Sequence, residues 1–139
     1  MSRENAINNI LHYIGGLRHK IFFPMKEAIS HLDISLTEMY IMRSIIKHQG
    51  ISVKELAEKM KVTSSAMTQI IDKLMNKGYV LRTKSEEDAR YLILSISDKG
   101  MEMIKKIKRE HFPFYKNIFN SLTDEELISL ETILDKISK

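Results

Sequence analysis

The sequence predicts a mainly α-helical fold carrying one small β-hairpin. Three observations lead there. Chain punctuation is sparse, with five glycines and two prolines in 139 residues and no low-complexity linker. Apolar residues recur at helical spacing over most of the length. Only two runs favour strands, Tyr79-Val80-Leu81 and Tyr91-Leu92-Ile93-Leu94, and they bracket a charged tip, Lys84-Ser85-Glu86-Glu87-Asp88-Ala89.

The elements follow in order. Ile7, Ile10, Leu11, Ile14, Leu17, Ile21, Phe22 and Met25 form one apolar stripe, which predicts a helix near 5–31. Pro24 lacks an N–H and crowds the preceding turn, so a kink or break is expected near Phe23-Pro24. Later helix starts are signalled by Ser35 with Glu38, Ser52 with Glu55 and Thr123 with Glu126, each fitting a capping box. Thr63 and Ser97 suit two further N-caps. Gly50 and Gly78 suit left-handed terminators. Helices are therefore expected near 36–48, 53–60, 64–77, 98–119 and 124–138, with strands near 79–84 and 90–96. Leu92, Leu94 and Ile96 are expected to face the core.

Composition narrows the function. Lysine and arginine number 22 against 18 acids, a net charge of +4, with a pI near 9.2, which fits a nucleic-acid or anionic-surface partner. The absence of cysteine excludes disulfides, thiol catalysis, thiolate metal sites and thiol redox sensing. The opening MSRENAINNI has no signal-peptide run and no segment has transmembrane length, so an intracellular, cytoplasmic location without membrane contact is expected. No His-Glu-x-x-His, Gly-rich phosphate loop or nucleophile elbow occurs, so no enzyme and no cofactor are expected. His12, His19, His31, His48 and His111 are scattered, and Glu110-His111 is the one adjacent acid–His pair, so no metal site is assigned.

The segment 53–77 carries the functional signal. Two short helices are joined by Lys61-Val62-Thr63, the first with Leu56, Ala57 and Met60 inward and Val62 plugging the turn. The second turns Met67, Ile70, Ile71 and Leu74 to one face and Ser64, Ser65, Thr68, Gln69, Asp72 and Lys73 to the other. A polar face alone is the ordinary surface of a small helical core. Here its first turn is small, hydroxylated and free of acid, which suits a helix lying close to a groove floor. Gln can bond adenine bidentately, Thr can touch a thymine methyl, and the helix N-terminus favours phosphate. Helix, tight turn, helix and then a hairpin make a winged helix-turn-helix. The candidate DNA-contacting set is Thr63, Ser64, Ser65, Thr68, Gln69, Lys73, Arg82, Lys84 and Arg90, the last three presenting cations from the wing.

These residues resemble the winged-helix core of the MarR family of bacterial transcription regulators. The similarity runs through Leu36-Thr37, Val53-Lys54-Glu55-Leu56-Ala57, Val62-Thr63-Ser64-Ser65, Ile70-Ile71-Asp72-Lys73-Leu74 and Lys77-Gly78-Tyr79-Val80. It continues through Asp88-Ala89-Arg90 and Ser95-Ile96-Ser97-Asp98-Lys99-Gly100. The resemblance implies that Arg90 is the minor-groove or phosphate arginine and Asp88 the brace that positions it. Gln69 stands where the family often has Arg, and Pro24 is untypical.

The resemblance also implies dimerisation helices at 1–34 and 98–139 flanking a DNA-binding domain at 35–97. Ile7, Ile10, Leu11 and Ile14 at one end, and Leu127, Leu130, Leu134 and Ile137 at the other, form stripes that need a partner. A two-fold homodimer would cover them and set two recognition helices about one DNA turn apart. The expected function is a homodimeric DNA-binding transcription regulator, read as a repressor. It would act on double-stranded, pseudo-palindromic DNA and be released by a small lipophilic, aromatic or anionic effector. The nine methionines suit a soft cavity for such a ligand. Two other readings stay open: a winged-helix protein-interaction module without DNA affinity, and a zinc-responsive regulator of the same fold.

Overall fold

The computed structural model describes residues 1–139. Six helices and one two-stranded sheet follow in the order α1 (Arg3–Ala28), α2 (Leu36–Lys47), α3 (Val53–Met60), α4 (Ser64–Asn76), β1 (Val80–Lys84), β2 (Leu92–Ile96), α5 (Asp98–Ile118) and α6 (Asp124–Ser138). No helix is long and apolar enough to cross a membrane.

Each of the six helices begins on a hydroxyl that accepts from a free backbone N–H: Ser2, Ser35, Ser52, Thr63, Ser97 and Thr123. Only Thr123 with Glu126 completes the reciprocal capping box, the Glu126 carboxylate accepting from the Thr123 N–H at 2.8 Å. The other two expected boxes are half-formed. Glu55 accepts from the Ser52 hydroxyl, and Glu38 is drawn away by lysines of a neighbouring helix, which offer it more than an amide does.

Of the kink or break expected near Phe23-Pro24, the break does not occur: α1 runs through Pro24 to Ala28. Proline removes one helical donor, and most of this stretch is exposed, so water can serve the carbonyl left behind. Val62 also departs from its expected place. It is exposed and does not plug the α3–α4 turn. The turn is closed by backbone instead: Lys61 takes a left-handed conformation, with Val62 N–H donating to Ala57 and Lys61 N–H to Glu58. The same pair of bonds ends α4, with Gly78 in the left-handed position and the Gly78 and Tyr79 N–H groups donating to Met75 and Leu74.

One core unites α2, α3, α4, the hairpin, α5 and the end of α1. Ile41, Met42, Ile45, Leu56, Met67, Ile71, Leu74, Val80, Leu94 and Ile107 are its most deeply buried members. Each such side chain contributes about 1.5–3 kcal/mol relative to exposure. The strands pair antiparallel from Val80↔Ile96 to Lys84↔Leu92. Leu94 alone of the three expected residues is fully buried; Ile96 is half-buried and Leu92 exposed, because the hairpin leaves the core towards its tip. Leu94 N–H also donates to Ile51 at 2.8 Å, tying the hairpin to the segment before α3. Ser97 secures the wing root, donating its hydroxyl to the Gly78 carbonyl while accepting from the Gly100 N–H.

The terminal helices differ from this body. Apart from half-buried Ala6, residues 1–20 are all exposed, and α6 has no buried residue.

Candidate nucleic-acid interface

Thr63 opens the surface by accepting from the Ala66 N–H at 3.1 Å, leaving neighbouring N–H groups of the first turn of α4 directed outward. That turn carries no acid. Ser64, Ser65, Gln69 and Lys73 are exposed and Thr68 is half-buried, so the helix shows a small hydroxylated front with an amide behind it. Apolar Met67, Ile71 and Leu74 anchor the opposite face. Asp72, the one acid on the polar face, has Arg82 of β1 within 3.8 Å.

Arg82 therefore sits differently from the other wing cations. It is half-buried against α4, and its Nε is shielded from solvent without a hydrogen-bond partner. Lys84 is exposed at the end of β1. Arg90 stands at the hairpin tip with its side chain 84% exposed, held by Asp88 in a fork: Nε donates to both carboxylate oxygens at 3.0 and 3.1 Å, and Nη2 donates at 2.7 Å. Asp88 also accepts from the Arg90 N–H at 3.0 Å. Hydrogen bonds from the Arg90 side chain and backbone hold the Asp88 carboxyl below its usual range. A planar guanidinium gripped on one edge has its other edge directed by the grip.

A second polar cluster was not among the expected site residues. Glu38 of α2 is the only buried charged residue, 4% exposed. Its carboxylate accepts from Lys77 Nζ at 2.8 Å and lies 3.3 Å from Lys73 Nζ, and both lysines belong to the C-terminal end of α4. Lys77 also donates to the Asp33 carbonyl at 3.1 Å and meets its carboxylate at 3.4 Å. Burial pushes the Glu38 carboxyl up, but Lys77 and Lys73 outweigh it and hold it below the ordinary value. Ser35, three residues earlier, made Glu38 look like a local cap. The i, i+4 pair Lys73 and Lys77 was the one available hint of a distant acid.

A cavity of about 480 Å³ lies between the end of α1, the second half of α2 and α5. Met25, Ile104, Ile107 and Phe112 give it apolar walls, while Arg43, Lys47, Lys108 and His111 bring basic groups to it. His111 Nε2 is shielded from solvent and unpartnered, 4.0 Å from Glu110. Burial raises the Tyr115 hydroxyl above its ordinary pKa, although Arg43 pulls the other way, so a neutral phenol lines the same space. Of the methionines, Met25 alone reaches the cavity; Met39, Met42 and Met67 fill the core. No three His, Asp or Glu side chains come together as metal ligands.

Comparison with known proteins gives a consistent result. A family model described as MarR matches residues 34–92. The chain is 26% identical over 138 residues to the HTH-type transcriptional repressor MdtR of Bacillus subtilis, covering 99% of this chain and 89% of that one. Its fold is similar to a MarR family protein from Bacillus stearothermophilus, with a TM-score of 0.78, 19% identity and coverage of 99% and 96%. It is also similar to a mutant MarR from E. coli complexed with operator DNA, with a TM-score of 0.71, 24% identity and 99% of both chains covered.

Proposed function

This chain belongs to the MarR family of winged-helix transcription regulators, which are not enzymes, and on that premise we propose that it is a DNA-binding repressor acting as a homodimer. The observation that carries the reading is the paired presentation of α4 and the wing. The first turn of α4 offers hydroxyls and backbone donors without an acid, Asp72 faces a cation, and Arg90 is aimed by Asp88. Thr63, Ser64, Ser65, Thr68 and Gln69 read or approach the major groove. Lys84 and Arg90 meet phosphates or the minor groove, and Arg82 and Lys73 support α4 from either side.

Dimerisation rests on the terminal segments, 1–34 and 98–139. Ile7, Ile10, Leu11, Ile14, Leu134 and Ile137 are about half exposed or more, and Leu127 and Leu130 are half-buried on the same stripe of α6. A second copy covering these stripes sets the spacing of the two α4 helices on a pseudo-palindromic site. The basic, aromatic-lined cavity suits an effector with an apolar body and an acidic group, whose binding shifts α2 and α5 and alters that spacing.

The test is fluorescence anisotropy against duplexes from upstream of the protein's own gene, with light scattering on the same sample. A dimer that prefers one such duplex over random DNA, and loses it on addition of aromatic carboxylates, is expected. A monomer with no sequence preference refutes the proposal, and leaves the winged helix as a protein-interaction module.

A further inference from the structure

Buried charge is costly unless paired, so the one charged side chain placed inside this core needs a reason. The Glu38 N–H donates to the Ser35 hydroxyl, but its carboxylate makes no capping bond; the two oxygens face Lys73 and Lys77 at the end of α4. These lie four residues apart and on the end of α4 opposite its groove-facing first turn. Elsewhere α4 is held by apolar packing, by the bond from Lys77 to the Asp33 carbonyl and by the long Asp72–Arg82 pair. The hydrogen bond from Lys77 and the ion pair with Lys73 add to that packing a charged tie between the end of α4 and one residue of α2.

The helix that bears Glu38 also reaches the cavity. α2 carries Glu38 in its first turn and Arg43, Ile46 and Lys47, which line the cavity, in its second half. Eight residues of helix between Glu38 and Ile46 span roughly 12 Å as a stiff rod. We propose that Glu38 is a positioning residue for DNA recognition: through Lys73 and Lys77 it fixes the angle of α4, and through α2 it ties that angle to the cavity. This rests on the DNA-binding function proposed above and adds to it the means by which a ligand reaches the recognition helix within one chain.

The substitution Glu38→Gln tests it, because two accounts predict opposite signs. If Glu38 acts only as a charge, removing it frees two lysines and tightens binding to all DNA. If it orients α4, binding to the preferred site weakens while phosphate-driven binding to random DNA is kept. The probe is a duplex enriched by the wild-type chain from a randomised pool, titrated beside a scrambled duplex of equal length. The expected result is a loss of at least tenfold in the ratio of the two affinities. A purely stabilising residue would lower the melting temperature and the active fraction, but both affinities would scale together and the ratio would stay. Lys77→Met should also lower the ratio, and the double variant should lose less than the sum of the two single ones, since the two groups are coupled. If Glu38→Gln does not fold, Lys77→Met, which leaves Glu38 its Lys73 partner, carries the same measurement. A ratio within twofold of wild type, or equal tightening on both duplexes, overturns the inference while leaving the DNA-binding function intact. A wild-type chain that enriches no sequence overturns both.

Discussion

Gly100 should not tolerate alanine, although it lies in the first turn of a helix. Added there, a Cβ would overlap the Tyr79 carbonyl oxygen and lie 2.9 Å from Ile96 Cγ2. The first of these is a backbone atom already accepting from the Ser97 N–H at 3.0 Å, so it cannot turn aside without weakening the junction of wing and α5. Alanine gains up to about 1 kcal/mol in helix propensity. Against this stand about 1–3 kcal/mol of overpacking and about 1 kcal/mol for a strained hydrogen bond. The net expectation is a destabilisation of about 1–3 kcal/mol, or roughly 3–10 °C for a chain of this size. Thermal melting followed by far-UV circular dichroism at fixed protein concentration measures it. A Gly100→Ala variant melting at or above wild type would refute the close seating of α5 on the wing root. DNA affinity should fall with stability, because the same displacement moves the wing relative to α4.

Four further outcomes are expected. Asp88→Ala should weaken operator binding although it deletes an acid near phosphates; tighter binding at physiological salt would show that Asp88 is a solvated tip charge and no brace. Gln69→Ala should cost about 1–3 kcal/mol on the preferred duplex and little on random DNA, whereas Lys84→Ala should weaken both and flatten the salt dependence by about one unit per half-site, as parallel anisotropy titrations would reveal. Leu134 is about half exposed in the single chain, so Leu134→Lys should leave the protomer folded yet cost an interface about 2–5 kcal/mol; an unchanged dimer by light scattering would place the interface elsewhere. The Glu38 carboxyl titrates below its ordinary value of 4.5 when folded, so its stabilisation is complete above that pH and lost as pH falls through the folded value. Glu38→Gln should therefore melt lower than wild type at pH 7, with the gap narrowing as the pH falls below 4.5; a gap that stays constant in acid melts would contradict the pairing.

The elements and their order were legible in the chain before it folded, because their determinants are local. A hydroxyl before an apolar stripe starts a helix at Ser52, Thr63 or Ser97 wherever the chain goes next, and a left-handed glycine ends one at Gly78. The polar front of α4 and the Asp88–Arg90 pair, two residues apart, were legible for the same reason. Tertiary structure decided what depends on residues distant in sequence. Glu38 chose Lys77, 39 positions away, over its own cap because a buried carboxylate is better served by two ammonium groups than by one amide. Arg82 turned from the wing surface onto Asp72. Val62 left the turn it was expected to plug once Lys61 closed it with backbone bonds. The cavity assembles Met25, Arg43 and His111 from three helices, and no spacing along the chain records such a meeting. Local hydrogen bonding and periodicity are written in neighbouring residues, whereas the pairing of charges and the shape of a void are set only when helices pack.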